Sequence, residues 1–247
     1  MKIITAAIIS IFSVITINAS ATTWADTEVD DPILDGEKCQ VGEPMSSGSY
    51  IYQWESKFDQ VFWPVTTPRG IWYCETSGFI ALIGDFKRLT AEEKIIISKY
   101  LKNNQPDLNN YNDRLRHLEA IYSLRTSEGY FNNRLLRILA YQYETLGDLK
   151  LANDYRKRAL SQIEARLNLT KEATTSIRLE YLFLASIYNK QLGDEDKYSL
   201  YLNQLNERLR TNNDKELVGY IEYLKSLIEE AILIENGGQL APKSKDK

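Results

Sequence analysis

Two helical patterns meet at Gly147-Asp148, and the segment around them, residues 139–160, constrains the fold of this chain more than any other. Small side chains stand where two packed helices would touch, and large side chains stand where the space between helices must be filled. The small residues are Ala140, Ala152 and Ala159, and the large ones are Leu139, Tyr143, Leu146 and Tyr155. Because these positions recur every three or four residues and glycine favours helix ends, the segment predicts an antiparallel helical hairpin.

A second segment repeats this pattern. Residues 184–194 read Leu-Ala-x-x-Tyr-x-x-x-Leu-Gly-Asp, which is the first pattern with one residue inserted, and Ala185 follows Ala140 by 45 residues. Hairpins of this tetratricopeptide-like kind stack on each other and present a groove, although their regular repeat is about 34 residues long. The chain is therefore predicted to be mainly α, with tetratricopeptide-like antiparallel helical hairpins at irregular spacing.

Helical periodicity extends over residues 87–236, which we predict to form one helical domain. Thr90 and Glu93 have the spacing of a capping box, which marks the start of the first helix. The predicted helices cover residues 90–103, 109–126, 129–146, 148–167, 173–192, 195–211 and 214–235. Residues 237–247 are polar and rich in lysine, so they are predicted to form a disordered tail.

Residues 1–21 have the pattern of a secretory signal peptide. Lys2 precedes an apolar stretch over residues 3–17, and Ala19-Ser20-Ala21 supplies the small residues of a cleavage site. We expect cleavage after Ala21 and a periplasmic or secreted mature chain that does not insert into a membrane. An uncleaved membrane anchor is the alternative, but the apolar stretch is shorter than the roughly 20 residues that span a bilayer.

The region between the signal and the helices is predicted to contain a small β-rich head. Residues 22–35 are acidic and rich in turn formers, which indicates a flexible lead-in. The head itself covers residues 36–86, where alternation over residues 50–55 and apolar runs at 61–65 and 70–74 favour short strands. A unit this small needs a staple or a helical neighbour to be stable.

The charge balance excludes one class of partner. The chain has 34 acidic and 30 basic side chains, with acidic residues in excess over 22–93 and basic residues in slight excess over 112–166. Nucleic-acid binding requires a concentrated positive surface, so we expect no nucleic-acid partner. The basic region allows an acidic protein or peptide partner, although solvated helix faces explain the same charges.

The two cysteines, Cys39 and Cys74, both lie in the predicted head. Each begins half of a Cys-x-x-Cys knuckle, but Gly42 and Ser77 stand at the positions where the second cysteines would be. A structural zinc ribbon requires four ligands, so the sequence predicts no metal and no cofactor.

Three stretches of sequence resemble a known bacterial family. They are Trp72-Tyr73-Cys74-x-x-x-Gly78-Phe79-x-Ala81, Gly84-Asp85-Phe86-x-x-Leu89-x-x-Glu92-Glu93 and the Leu-Ala-x-x-Tyr-x-x-Leu-Gly-Asp hairpin. The chain is similar over residues 36–210 to the family catalogued as domain of unknown function number 2225. The resemblance implies a degenerate zinc-ribbon-like head followed by a tetratricopeptide-like helical body, and it implies no activity.

This resemblance places Cys39 and Cys74 on either side of a former metal centre. An exported chain can oxidise two neighbouring thiols. We therefore expect a Cys39–Cys74 disulfide, which would stabilise the head by about 3–4 kcal/mol in the chain-entropy model. The alternative is that both thiols remain free.

Candidate catalytic residues are scarce. The single histidine, His117, is expected to be a partly exposed residue of a helix, and no phosphate loop, nucleophile elbow or metal-binding motif occurs. An aromatic series could form a stacking platform for sugars or peptides, or more commonly the core and helix-docking face of the head. The series comprises Tyr50, Tyr52, Trp54, Phe62, Trp63, Trp72 and Tyr73.

The predicted groove supplies the candidate binding residues. In a tetratricopeptide-like hairpin the first helix lines the groove, and side chains that are not used in packing point into it. These residues are Arg134, Arg137, Tyr141 and Glu144 in the first hairpin and Ser186, Asn189 and Lys190 in the second. Together they could clamp a carboxylate or an extended acidic segment, although an ordinary charged helix face is the alternative.

The sequence thus predicts a non-enzymatic adaptor or assembly factor that binds a protein or peptide outside the cytoplasm. The alternative function is a periplasmic or secreted hydrolase or carbohydrate-binding protein that uses the aromatic head.

Overall fold

The computed structural model describes residues 22–169 and 175–240, so the predicted signal peptide and residues 241–247 lie outside the described part of the chain. Within that part a small β region precedes seven α-helices, which confirms the predicted mainly α fold with a β head. The helices are α1 (Ala91–Asn103), α2 (Tyr111–Ser123), α3 (Gly129–Thr145), α4 (Leu149–Asn168), α5 (Thr175–Leu192), α6 (Glu195–Thr211) and α7 (Val218–Glu230). None of these described helices has both the length and the apolar character needed to span a bilayer.

The β region consists of two antiparallel ribbons. Strand β1 (Thr23–Asp30) pairs with β2 (Lys38–Ser46), and β3 (Ile71–Tyr73) pairs with β4 (Ile80–Leu82). The prediction of a flexible lead-in over residues 22–35 is therefore wrong for most of its length. The acidic strand β1 is stable because β2 supplies partners across the ribbon.

These cross-strand partners are polar. Lys38 forms an ion pair with Asp30, and Gln40 Nε2 donates a hydrogen bond of 2.5 Å to Glu28 Oε1. Opposite charges and hydrogen-bonding groups that face each other across two strands stabilise the pairing. The ribbon therefore tolerates Glu28 and Asp30 because an amide and a basic side chain of β2 stand opposite them.

The aromatic stretch after β2 is not a strand. It forms two short 3-10 helices, Ser49–Gln53 and Glu55–Asp59, and the predicted strand at 61–65 is also absent, whereas β3 lies inside the predicted strand at 70–74. Six consecutive residues, 56–61, are buried. A half-exposed strand would bury only every second side chain, so the continuous burial of this inner segment (residues 56–61) differs from the alternation that the strand prediction implied.

The helical hairpins form as the sequence predicts. Gly147 ends α3 with φ = 84°, a backbone conformation that glycine adopts without strain, and Asp148 caps α4 by accepting a hydrogen bond from the Leu151 backbone N–H. Gly193 and Asp194 repeat this arrangement between α5 and α6. The identical turn chemistry explains why both hairpins close at a Gly-Asp pair.

Small residues form the contacts between these helices. Ala140, Ala152, Ala159 and Ala185 are completely buried, and α3 packs on α4, α4 on α5, and α5 on α6. The rings of Tyr143 and Tyr155 stack between α3 and α4 with centroids 5.4 Å apart. Leu146 departs from the prediction because it is 42% exposed at the turn and does not fill the space between the helices.

One continuous hydrophobic core joins the head to the helices. It extends from Val29 in β1 to Leu240, and the head contributes Phe79 and Phe86 to it. The predicted Cys39–Cys74 disulfide is confirmed, with its two Cα atoms 4.9 Å apart and both cysteines buried. The disulfide therefore ties β2 to the end of β3 inside the shared core.

The chain end is ordered further than the sequence predicts. Gly237 N donates a 2.7 Å hydrogen bond to Gln191 O, and the side chain of Leu240 is buried. The prediction of a disordered tail from residue 237 is therefore wrong for residues 237–240, because an apolar side chain follows the glycines and packs into the core.

Candidate functional site

The face of α3 and α5 that was predicted to line an open groove is covered by the head, and we call this face the covered wall. Arg137, Glu144, Ser186 and Asn189 are buried, so the prediction that they face an open groove is wrong. The inner segment (residues 56–61) lies against α3 and α5 and covers this wall.

Asp59 is the anionic centre of the covered wall. Its Oδ1 accepts hydrogen bonds from Arg156 Nε at 3.1 Å and Tyr188 Oη at 2.6 Å, and its Oδ2 accepts one from Arg156 Nη2 at 2.8 Å. Burial alone would lower the pKa of Arg156, but the charge and hydrogen bonds of Asp59 together with the charge of Glu144 outweigh burial and hold the pKa above its ordinary value. The carboxylate of the chain's own Asp59 therefore occupies this wall, held by Arg156 and Tyr188, neither of which the sequence predicted as a binding residue.

Arg137 holds the backbone of the same segment. Its Nη1 donates to the carbonyl oxygens of Asp59 and Gln60 at 3.0 and 3.1 Å, and its Nε donates to Asn133 Oδ1 at 3.1 Å. Glu180 forms an ion pair with Arg137 at 2.7 Å and neutralises its charge. Buried charges remain stable only when they are paired and hydrogen-bonded in this way.

Glu144 connects the wall to the chain end. Its Oε2 accepts hydrogen bonds from Arg156 Nη1 at 2.6 Å and from the Leu240 backbone N–H at 3.0 Å. Gln191 Nε2 donates to Gly238 O at 2.7 Å and holds the same terminal stretch. The wall is therefore covered by the inner segment and by residues 237–240.

The other predicted binding residues have local roles. Ser186 Oγ and Asn189 Nδ2 donate to backbone oxygens of their own helix, each at 2.8 Å. Lys190 lies over the ring of Tyr198 at 5.0 Å. Arg134 and Tyr141 are half-buried on α3, where burial and then the charge of Arg137 lower the pKa of Arg134.

His117 is not the partly exposed residue that the sequence predicts. It is buried, its Nε2 lies 3.0 Å from Gly78 O, and its ring stacks on Tyr100 with centroids 5.5 Å apart. Burial lowers the pKa of His117, and the hydrogen bond to Gly78 opposes this shift only in part. This environment gives the imidazole a structural role between α2 and the loop after β3.

The disulfide lies next to a buried carboxylate. Asp31 and the two cysteines have ligand-type atoms within 4.8 Å of one another, and they are the one such group within residues 22–169 and 175–240. The disulfide uses both sulfur atoms, and Asp31 Oδ1 accepts hydrogen bonds from the backbone N–H groups of Ile33 and Leu34. Asp31 therefore fixes the turn between β1 and β2.

The aromatic series of the head does not form the core. All seven of its members are half-buried or exposed, and Tyr52 is 48% exposed. The commoner interpretation of the series is therefore wrong in that its members are not buried core residues, but Phe62 does dock against a helix, through Tyr223 of α7. Trp72 and Tyr73 are the members that also pack on the core.

Part of the series forms a pocket with α7, which we call the aromatic cradle. Its volume is about 520 Å³. It is lined by Ser49, Tyr50, Tyr52, Gln53, Phe62, Tyr220 and Tyr223. The sequence prediction missed Tyr220 and Tyr223, although their three-residue spacing on a helix places both on one face.

The rings of the cradle form a connected row. The centroids of Tyr52 and Phe62 are 5.1 Å apart, and those of Phe62 and Tyr223 are 6.4 Å apart. Tyr223 Oη donates to Tyr52 O at 2.8 Å, and Tyr220 Oη donates to Gln60 Oε1 at 3.1 Å. Burial raises the pKa of Tyr220 and of Tyr223, so both hydroxyls stay protonated as hydrogen-bond donors.

No family model, no curated protein and no solved structure matches this chain. The resemblance to the family of unknown function therefore rests on the motif residues alone.

Proposed function

We propose that this protein is a non-enzymatic peptide-binding protein and that the aromatic cradle holds an extended, apolar, proline-containing segment of its partner. The observation that carries this proposal is the row of aromatic rings from two distant parts of the chain, the head and α7, around one open pocket. Exposed aromatic residues that converge on a pocket are typical of binding surfaces.

The chemistry of the cradle favours a peptide over a sugar. The hydroxyls of Tyr220 and Tyr223 are already bonded to Gln60 and to the Tyr52 backbone, and the Tyr50 hydroxyl is buried. Ser49, Gln53 and the hydroxyl of Tyr52 are left as the polar groups of the rim. A sugar presents many hydroxyl groups that need partners. A polyproline-type segment presents apolar ring faces and few backbone donors, and aromatic-lined grooves recognise it.

The covered wall also limits where a partner can bind. Arg137 and Arg156 hold the inner segment and are not exposed to solvent, so a partner would meet the outer surface of the head and α7. The partner class predicted from the sequence, a protein or peptide, is kept in this proposal, and the contact moves from α3 and α5 to the cradle.

The cellular location and the family are part of the same proposal. The Cys39–Cys74 disulfide and the absence of a membrane-spanning helix among the described residues are compatible with a periplasmic or secreted protein. We retain the tetratricopeptide-like array and the relation to the family of unknown function number 2225 as proposals supported by the hairpin and Cys74 motifs.

The test measures peptide binding by fluorescence anisotropy. The probe is a labelled peptide of sequence Ala-Pro-Pro-Leu-Pro-Pro-Tyr-Pro, and a glycine-serine peptide of equal length is the reference. We expect the first peptide alone to bind and Tyr52→Ala to weaken it by about tenfold or more, since loss of an aromatic anchor at an interface costs about 2 kcal/mol.

Tyr198→Ala is the matched control, because Tyr198 is a half-buried tyrosine on α6 outside the cradle. An equal loss of peptide affinity in the two variants, or no binding of the proline-containing peptide, would overturn the proposal. Binding of a neutral hexasaccharide that Tyr52→Ala removes, without peptide binding, would assign the cradle to carbohydrate instead.

A further inference from the structure

A second pocket of the head lies between β2, β3 and α2. Its volume is about 350 Å³, within the range of small-molecule sites, and we call it the arginine pocket. Arg69 and Arg114 both line it, together with Trp72 and Tyr73. None of these four residues lines the aromatic cradle.

Arg114 is held in place by contacts that leave its charged end unpaired. Its guanidinium carbon lies 4.5 Å from the ring centroid of Tyr73 and 5.8 Å from that of Tyr111, and its Nε donates a hydrogen bond to Leu108 O. Within the described part of the chain no carboxylate forms an ion pair with Arg114, and no hydrogen bond uses its Nη1 or Nη2. The nearby Asp113 pairs with Arg116 instead.

Arg69 supplies a second positive charge at the rim. Its Nη2 lies 2.6 Å from Asp26 Oδ1, but both side chains are largely exposed to solvent. Exposed ion pairs of this kind are weak because water screens them. An anion in the pocket can therefore share or replace the contact that Arg69 makes with Asp26.

The walls of the pocket add apolar surface. Trp72 Nε1 donates to Gly42 O at 2.8 Å, which fixes the indole against β2. A ligand in this pocket therefore meets the positive charges of Arg69 and Arg114, the Asp26 carboxylate that pairs with Arg69, and aromatic and aliphatic surface.

We propose that the arginine pocket binds a small organic anion, a carboxylate or phosphate ester with an apolar body. A guanidinium whose orientation is fixed before binding makes charge-assisted, two-point hydrogen bonds to either group at low entropic cost. The apolar body packs against Trp72 and Tyr73. This site is independent of peptide binding in the cradle.

The experiment titrates the full-length mature protein with four probes and follows the Trp72 indole N–H signal by NMR. Phenyl phosphate and benzoate carry both the charge and the ring, inorganic phosphate lacks the ring, and benzamide lacks the charge. We expect saturable shifts with phenyl phosphate and benzoate, and at least about tenfold weaker binding of inorganic phosphate and of benzamide, which corresponds to about 1.4 kcal/mol.

Arg114→Gln should weaken phenyl phosphate binding by at least about tenfold, because a charge-assisted pair is lost. Arg116→Gln is the matched control: it removes the same charge two residues along α2, from a residue that does not line the pocket. Equal binding by Arg114→Gln and the unmodified protein, or binding of benzamide as tight as benzoate, would overturn the proposal. Peptide binding by the cradle should be the same in all these variants.

Discussion

Arg156 and Asp59 lie 97 residues apart in the chain and form a two-point ion pair whose side chains are 0% and 1% exposed. Tyr188 and Glu144 complete the set of groups around these two charges. This pair joins α4 to the inner segment (residues 56–61), so the helical hairpins and the head are held together by charges that have no access to water.

Replacing Asp59 by Asn should strongly destabilise the protein. The variant keeps the shape of the side chain but leaves the Arg156 charge without its principal partner, and breaking a buried ion pair in this way costs about 3–5 kcal/mol. The free energy of unfolding, measured by urea denaturation, checks this. Asp35→Asn is the control, because Asp35 pairs with Lys94 on the surface and its removal should change stability little. Similar unfolding curves for the two variants would contradict the role of the buried pair.

Removal of the disulfide should lower the free energy of unfolding. The double variant Cys39→Ser and Cys74→Ser loses a cross-link over a sequence separation of 35 residues, which corresponds to about 3–4 kcal/mol in the chain-entropy model. Urea denaturation of the oxidised, reduced and double-variant proteins measures this difference. The reduced and variant proteins should unfold at similar, lower urea concentrations. A non-reduced mass equal to that of the fully protonated thiols would show instead that the bridge does not form.

Residues 237–240 should contribute to stability through Leu240. Leu240→Ala removes a buried leucine side chain, and such changes cost about 2–5 kcal/mol. Deletion of residues 241–247 is the control, since it keeps Leu240 and its backbone N–H bond to Glu144. Thermal unfolding of both variants, followed by circular dichroism, gives the comparison. If the deletion lowers Tm as much as Leu240→Ala, the stabilising contact lies beyond residue 240.

Stability should fall as the pH falls below the ordinary pKa of histidine. Burial lowers the pKa of His117 in the folded protein, so between that value and about pH 6.5 the unfolded chain binds a proton that the folded chain does not. The folded state is therefore favoured less at about pH 5.5 than at about pH 7.5.

His117→Gln tests this because glutamine does not titrate and can still bond to Gly78 O. The free energy of unfolding should change less between the two pH values in this variant than in the unmodified protein. The same pH dependence in both proteins would assign the effect to carboxylates.

The helical half of the fold follows from local sequence. Gly147-Asp148 and Gly193-Asp194 end one helix and cap the next by backbone geometry that is determined within a few residues. Thr90 and Glu93 form the predicted capping box in the same local way. These signals need no knowledge of tertiary contacts, so the predicted helices agree with the structure.

The head and the covered wall depend on contacts between distant residues. Nothing near Arg137 in the sequence indicates that its partners are the backbone oxygens of Asp59 and Gln60. The helix periodicity therefore placed Arg137 on the correct face of α3 but could not show that the inner segment covers this face. The acidic alternation of β1 was a usable signal, because Lys38 and Gln40 stand opposite Asp30 and Glu28.

The inner segment (residues 56–61) competes with any external acidic ligand for Arg137 and Arg156, because it already binds both side chains. Because the segment belongs to the same folded chain, its binding to Arg137 and Arg156 is intramolecular, and a free acidic peptide would have to compete with its effective local concentration. The clamp formed by Arg137 and Arg156 is thus committed to self-recognition. Evolution of a new binding specificity in this molecule would have to proceed through its outer surfaces, where substitutions leave the internal occupant in place.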